Sequence, residues 1–393
     1  MKISVVAPFP KNKDGIPRVA DELLKKLCEA DNVESVTIIA HKGLDFVNPS
    51  LLQNTKVSLF IARNFMIPRV FLKAIKLYVN SDAFLLLSTP WDVFDPSPLF
   101  FLLRLLNYGQ RSGILRRSKW IQVLYDFVIY ACPEDYVHPS ASMRFYNAFK
   151  SHFVGVPARY VAISESTKRD AKRYWGISAD KVTVIYLGSF VAPRAPRTHF
   201  GSKKVLTISD IAPRKNHIRS IKAFELVHKE NPHNNMELTI VGHVRKNVPE
   251  FESTLQHIRE RNEGIKITFA GYLTDSEILA LYDQADVFVY PSQYEGFGLP
   301  VLEAMACGCP VITSNVSSLP EVVGEAGLLV DPYNVEALAQ AMSAVLEDDD
   351  LKREMSRKGI EQARKFSWDK AGKELLAVCQ EVAEGVSQPK GSN

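Results

Sequence analysis

Long apolar runs are absent from this chain. The longest cluster, Pro98 to Leu103, is stopped by Arg104, well short of the roughly 18–20 residues a spanning helix requires. The opening stretch Met1 to Pro10 carries one Lys and a short apolar run broken by Pro8 and Pro10, without the longer apolar core of a secretory signal. Net charge is small as well: 48 Lys and Arg against 44 Asp and Glu leave +4, too little for a protein that coats nucleic acid. Cysteine is sparse. The five, Cys28, Cys132, Cys307, Cys309 and Cys379, are odd in number and scattered among apolar segments, which excludes a disulfide framework and points to a reducing compartment. Cys307-x-Cys309 has no second pair at zinc spacing, so no metal is expected there. No short-period repeat or low-complexity tract occurs, and only the Gly-, Ser- and Lys-containing tail from Glu384 to Asn393 is expected to fray. These absences leave a cytoplasmic chain, soluble or peripheral on a membrane face.

What is present suits a globular protein of two to three domains: 393 residues, 46% hydrophobic and 23% charged, at roughly 150 residues per domain. Short runs rich in Val, Ile, Phe and Leu recur at Ile3 to Ala7, Val36 to Ala40, Val57 to Ile61, Ala83 to Leu87, Trp120 to Tyr130 and Tyr160 to Ile163. Continuous apolar runs of this length predict strands buried on both faces, and the helical patterns between them predict a parallel α/β sheet. Val19, Leu23, Leu24 and Leu27 share one face of the first such helix, with Pro17 in its first turn. Ser189 to Lys204, with Pro193, Pro196 and little periodicity, reads as a linker. A second series follows it, at Val205 to Ser209, Glu237 to Val241, Ile265 to Ala270, Asp286 to Tyr290, Pro310 to Thr313 and Gly327 to Val330. The predicted architecture is two doubly wound Rossmann-like halves, 1–188 and 205–366, facing across a cleft that holds the ligand.

Asp286 to Pro310 reads DVFVYPSQYEGFGLPVLEAMACGCP: a strand, a Gly-containing loop, and a helix from about Leu299 or Pro300 to near Gly308. Gly296 and Gly298 allow close backbone approach, and the free N–H groups of the next helix favour a phosphate, so a diphosphate fits. Glu295 and Glu303 lie eight positions apart. A carboxylate does not favourably face a phosphate, so both are expected to reach neutral hydroxyls of a sugar or ribose. On the plainer alternative, the glycines make a tight turn and Glu303 is a solvated helix residue. A Rossmann fingerprint is not complete here, because Val301 stands where its third Gly belongs.

The whole segment resembles the E-x7-E signature of the retaining GT-B glycosyltransferases of family 4, group 1, in the branch of mannosyl- and glucosyltransferases of bacterial polysaccharide assembly. Phe269 to Ala280 (FAGYLTDSEILA), Val311 to Val323 (VITSNVSSLPEVV), Gly327 to Pro332 (GLLVDP), Ala162 to Asp170 (AISESTKRD) and Val182 to Gly188 are similar to family segments. Phe366 to Val382 resembles the family's last helix, which returns to the first domain; the predicted returning segment is about 367–385. The resemblance implies that Glu295 holds the donor sugar's hydroxyls and Glu303 the ribose, that the backbone of Gly296, Phe297, Gly298 and Leu299 binds the diphosphate, and that Leu273 sits near the base. It also implies a basic pair after the first strand of the second half, to neutralise charge on the departing diphosphate; Ile211 to His217 (IAPRKNH) supplies Arg214 and Lys215.

Three positions depart from the pattern. Ser209 and Asp210 replace the Gly-Arg of many relatives, although an RKN-type variant exists. The Gly-rich loop after the first strand reads KDGIPR over 13–18, keeping Gly15 on the donor side and placing Pro17 where relatives have Gly. The family's His-Asp pair appears as Tyr125-Asp126. Retaining transfer of this kind can proceed without a protein nucleophile, the donor's own phosphate oxygen taking the acceptor proton, so a missing His need not abolish activity. Asp126 is then expected to hold a sugar hydroxyl or accept a proton.

Asp348 and Asp350 match D-x-D, but within a run of acids after a helix rather than at a buried strand end, so no metal is assigned. Between Asp95 and Asp126 no acid occurs, while Arg104, Arg111, Arg116, Arg117 and Lys119 alternate with Phe and Leu. This stretch, 98–120, reads either as a buried helix with a basic turn or as a contact with an anionic membrane surface, suited to a lipid-linked acceptor. The reading that follows is a metal-independent retaining transferase that uses a nucleotide-diphosphate sugar, GDP-mannose first, needs no cofactor, and acts on a surface glycan. A catalytically silent homologue that scaffolds glycan assembly is the alternative. A nucleotide-sugar epimerase would need further acids and bases that are not identifiable.

Overall fold

A computed structural model describes residues 1–6, 15–40, 53–61, 76–77, 80–87, 118–136, 138–201, 203–230, 235–245, 248–261 and 264–385. The predicted loop residues Lys13 and Asp14, the membrane stretch up to Arg117 and the tail beyond 385 lie outside the described residues. The chain divides into two compact units: 1–125, 144–188 and 368–393 form the first, 126–143 and 189–367 the second.

Unit 1 contains strands β1 (Lys2–Val6), β2 (Ser35–Ala40), β3 (Val57–Ile61), β4 (Ala83–Leu86), β5 (Trp120–Leu124), β6 (Arg159–Ala162) and β7 (Val182–Val184). All pair in parallel in the order β3-β2-β1-β4-β5-β6-β7. Unit 2 contains β8 (Lys204–Ile208), β9 (Glu237–Val241), β10 (Lys266–Gly271), β11 (Val287–Tyr290), β12 (Val311–Ser314) and β13 (Leu328–Val330). These also pair in parallel, in the order β10-β9-β8-β11-β12-β13. Every residue of β4, β5, β11 and β12 is buried, which is why these strands read as unbroken apolar runs in the sequence. Edge strand β10 mixes exposed and buried positions instead. In each sheet the order reverses beside the first strand, and loops leaving the C-terminal ends of the strands at that reversal diverge to form a ligand-binding crevice.

The expected strand Trp120 to Tyr130 is shorter than its apolar run. β5 ends at Leu124, and 128–131 form a helical turn. The Asp126 carboxylate accepts the Val128 N–H at 3.1 Å, a local side-chain contact that competes with strand pairing. From Asp126 to Met143 the chain packs with unit 2, whereas the sequence boundaries assign it to the N-terminal half. The 189–204 stretch is likewise part of unit 2 rather than a loose tether. Arg194 N–H donates to the Ala306 carbonyl at 2.9 Å, Arg197 N–H donates to Ser356 Oγ at 2.9 Å, and the Arg197 guanidinium reaches the Ala285 carbonyl.

Helix α1 (Ile16–Glu29) buries Val19, Ala20, Leu23, Leu24, Leu27 and Cys28 and packs in unit 1 against the helix Trp368–Glu384. The ion pair Lys26–Asp369 at 2.8 Å and the pair Arg159–Glu381 fix that helix to α1 and to β6. Gly372 sets the closeness of the two helices: a Cβ there would stand 2.4 Å from the Lys26 Cβ. Alanine in a helix interior normally gains about 1 kcal/mol over glycine, while forcing an extra methyl into a filled contact costs about 1–3 kcal/mol. Gly372→Ala is therefore expected to lower the thermal midpoint of unit 1 by a few degrees; a raised midpoint in differential scanning calorimetry contradicts this packing.

Candidate active site

β8 and β11 are neighbours in unit 2, so the loops that leave their C-terminal ends meet. The β8 loop closes in a single helical turn, Pro213–Lys215, followed by Asn216 at φ 66°. The Asn216 amide donates to the carbonyls of Pro291 and Pro332, at 2.9 and 2.6 Å. Gln293 N–H donates to the Arg214 carbonyl at 2.7 Å, and Ser292 Oγ lies 3.1 Å from the same carbonyl. Backbone contacts thus lock the two loops together before any charge is considered.

The side chains then converge on one oxygen. Oε1 of Glu295 accepts from Lys215 Nζ at 2.6 Å, Arg214 Nη1 at 2.9 Å, Ser292 Oγ at 2.6 Å and the Tyr290 hydroxyl at 3.0 Å. None of these donors goes to Oε2. Lys215 Nζ also donates to the Tyr290 hydroxyl at 2.5 Å, so among the described residues one of its three N–H groups has no partner. Burial alone would raise the Glu295 carboxyl, but Lys215 and Arg214 hold it down at about 2. Burial pushes Lys215 down to about 8, and the neighbouring Arg214 cation adds to this against the pull of Glu295. Arg214 is raised above its ordinary value because Glu295 and Asp135 outweigh its burial.

The structure thus brings Glu295, Arg214 and Lys215 into direct contact. Asp126 stands within electrostatic range of all three, and burial raises its carboxyl above the usual range. Tyr125 belongs to unit 1, where its hydroxyl donates to the Leu87 carbonyl at 3.1 Å. Past Glu295, helix α2 (Leu299–Ala306) begins at Gly298, whose φ of 115° and whose approach to Leu319, 2.9 Å from where a Cβ would lie, suit glycine alone. The loop is held from below: Ser317 Oγ accepts the Glu295 N–H at 3.0 Å, and the Ser318 hydroxyl donates to the Phe297 carbonyl at 2.6 Å with the Glu295 carbonyl 3.0 Å away. Gly296, Phe297, Gly298 and Leu299 therefore run into the N-terminus of α2, with Glu303 half-buried at its fifth residue. Leu273 is half-buried in the loop after β10 and makes none of the contacts that hold Glu295. Gly15 opens α1 in unit 1 at φ 67°.

Four contributors escape sequence reasoning. Tyr290 and Ser292 lie inside the quoted segment with no spacing signal. Tyr294 and Asp135 act through contacts that only the fold creates. His217 is a structural group: Nε2 lies 2.8 Å from Ser209 Oγ, and burial pushes the ring down to about 4, so it stays neutral. The D-x-D acids have local partners, Asp348 capping the helix 349–363 and Asp350 pairing with Arg353. All five cysteines are buried free thiols. Among the described residues no group of three or more His, Cys, Asp or Glu is placed to hold a metal ion, and no helix is long and apolar enough to cross a membrane.

A family model described as glycosyl transferases group 1 matches residues 194–365. The chain is 30% identical over 384 residues to O-antigen chain mannosyltransferase B of Escherichia coli, covering 93% of this chain and 96% of that one. Among solved structures it is similar to HepE of Anabaena in complex with UDP and glucose (TM-score 0.69, 18% identity, 97% and 100% of the two chains). It is also similar to sucrose-phosphate synthase of Thermosynechococcus elongatus (TM-score 0.70, 19% identity, 98% and 100%). The two parallel-sheet Rossmann-like units are those of the GT-B fold. The chain belongs to the group 1 glycosyltransferases and is a transferase of that family.

Replacing Glu295 by Gln leaves two buried cations without their common anion, and breaking a buried ion pair typically costs about 3–5 kcal/mol. The Glu295 carboxyl is held below its unfolded value, so this stability is present above about pH 4.5 and is lost as pH falls through about 2. Urea unfolding is expected to show Glu295→Gln destabilised at pH 7, with the gap to wild type closing below pH 4; a gap independent of pH contradicts the assignment.

Proposed function

We propose that this chain is a retaining, metal-independent hexosyltransferase that takes mannose from a nucleotide-diphosphate sugar, GDP-mannose first, and adds it to a surface-polysaccharide or lipid-linked glycan. The observation that carries this reading is the arrangement at Glu295: a buried carboxylate with a free second oxygen, flanked by two cations, directly before the N-terminus of α2. The likeness to an Escherichia coli O-antigen chain mannosyltransferase favours mannose and a polysaccharide acceptor, and the UDP and glucose bound to HepE favour a nucleotide-linked donor.

On this reading the diphosphate lies at the N-terminus of α2 against Gly296, Phe297, Gly298 and Leu299, where backbone N–H groups and the helix dipole favour an anion. Glu295 stays ionised and offers Oε2 to sugar hydroxyls, while Glu303 reaches the ribose and Leu273 the base. The acceptor oxygen forms a bond to the anomeric carbon on the face from which the phosphate leaves, the bond from carbon to phosphate oxygen breaks, and that oxygen takes the acceptor's proton. Negative charge grows on the departing diphosphate, and Lys215 and Arg214 stabilise it. Their two positive charges serve the purpose a divalent ion serves elsewhere, which is the ground for metal independence. Asp126, with its raised carboxyl, holds a sugar hydroxyl. Gly15 is assigned to the donor, and residues 98–120 to an anionic membrane surface, on sequence alone. The buried Tyr125 hydroxyl, spent on Leu87, is the one observation that favours a catalytically silent homologue; the charge kept at Arg214 and Lys215 argues against it.

A panel of nucleotide sugars, with GDP-mannose included, is expected to give turnover with retained anomeric configuration by NMR. Lys215→Ala is expected to lower kcat about 10²–10³-fold, the range for loss of one oxyanion donor. Lys215 is charged below about pH 8, so kcat/KM is expected to fall as pH rises through that value. Binding without turnover for every donor and acceptor overturns the proposal in favour of the silent homologue.

A further inference from the structure

Asp135 sits in the segment that runs on from β5 and packs with unit 2, at the end of the single helical turn Pro133–Asp135. It is buried, at 7% exposure, and both of its oxygens go to one residue. Oδ1 accepts the Arg214 backbone N–H at 3.0 Å, and Oδ2 forms an ion pair with Arg214 Nε at 2.6 Å. The same segment is fastened beside it, because Phe127 N–H donates to the Tyr294 hydroxyl at 3.1 Å. Tyr294 in turn accepts Arg214 Nη1 on its carbonyl at 3.0 Å.

Arg214 is thereby held by hydrogen bonds at its backbone and at Nη1 and by the Asp135 charge beside Nε, and the remaining terminal nitrogen, Nη2, has no partner among the described residues. A guanidinium is planar, so fixing the chain and two of its nitrogens fixes where the third points. Without Asp135, Nη1 keeps its bonds to Tyr294 and Glu295, but the Arg214 backbone N–H and Nε lose the carboxylate that fixes the base of the arm, so the guanidinium as a whole is free to shift. We infer that Asp135 is a positioning residue: it orients the Arg214 guanidinium so that Nη2 meets a phosphate oxygen of the donor, and it does so without touching the donor. The inference rests on the proposed reading of this site as a diphosphate site.

A structural role and a positioning role differ in one observable, the alkaline limb of the pH–rate profile. The charged and titratable groups that act on or respond to Lys215 are Arg214, Glu295, Tyr290, Asp135, Asp126 and His217. Asp135 is one of the anions that keep Lys215 protonated. Removing its charge moves that limb to lower pH, whereas loosening the segment does not.

The test uses the full chain, with the nucleotide sugar that turns over and with GDP binding followed by calorimetry. Asp135→Asn is expected to lower kcat and weaken GDP binding by about 10–100-fold, by analogy with losing a group that orients a ligating side chain, and to shift the alkaline limb downward. Asp135→Glu is expected to keep the limb in place, with kcat roughly three- to tenfold below wild type. Tyr294→Phe removes the hydroxyl that anchors the segment and no charge, and is expected to leave the limb where it is. Wild-type kcat, GDP affinity and limb position in Asp135→Asn overturn the inference, as does equal impairment of Asp135→Asn and Tyr294→Phe with an unmoved limb. If Asp135→Asn does not fold, wild-type kcat in Asp135→Glu overturns it. A wild-type chain that binds no nucleoside diphosphate and turns over no donor removes the reading of the site itself, and this inference with it.

Discussion

One carboxylate oxygen, Oε1 of Glu295, receives a lysine, an arginine, a serine and a tyrosine at once. Charges this buried are tolerated only where every partner is in place, because each ion taken out of water costs several kcal/mol and a partial network is worse than none. Much of unit 2 near the ends of β8 and β11 follows from that requirement. The turn Pro213–Lys215 presents both cations from adjacent positions, Asn216 fastens that turn to Pro291 and Pro332, and Ser317 and Ser318 hold the backbone on which Glu295 sits. Asp135 supplies the second anion, so that two cations face two carboxylates.

The topology makes this cluster reachable. Since β8 and β11 flank the reversal of strand order, their loops are adjacent in space although about 80 residues apart in sequence. Among the described residues, the same crossing leaves Oε2 of Glu295, Nη2 of Arg214 and one N–H of Lys215 without a partner, in the loops that lead into α2. An anion acceptor, a hydroxyl acceptor and a helix dipole are thus arranged within one loop pair, and a glycosyl diphosphate carries the complementary groups.

The legible part of this structure was whatever a local pattern encodes. Buried parallel strands announce themselves as runs such as Ala83–Leu86 and Val287–Tyr290, and the Glu295-to-Glu303 segment with Arg214 and Lys215 is dense enough to single out from residue types and resemblance. What escaped depends on contacts between distant segments or on one side chain overriding a run. Asp126, by accepting the Val128 N–H, ends β5 where the apolar run continues. The passage of 126–143 into unit 2 depends on Asp135 and Phe127 finding Arg214 and Tyr294, which no spacing records. The prolines and basic residues of 189–204 read as a linker, yet the Arg194 guanidinium pairs with Asp283 and the Arg197 guanidinium reaches the Ala285 carbonyl, both in unit 2. Within the site, Tyr290 and Ser292 carry no signal of their own, because a hydroxyl aimed at a buried carboxylate has no sequence signature.

The central claim is that Lys215 and its neighbours receive a diphosphate. Lys215 is held at about 8 by burial and by Arg214, and a bound diphosphate restores its ordinary preference for the charged form. GDP binding measured by calorimetry at pH 8, in buffers of different ionisation enthalpy, reports that change directly. The account predicts uptake of about half a proton per chain, absent in Lys215→Met. Binding with no proton uptake, or with the same uptake in Lys215→Met, contradicts it.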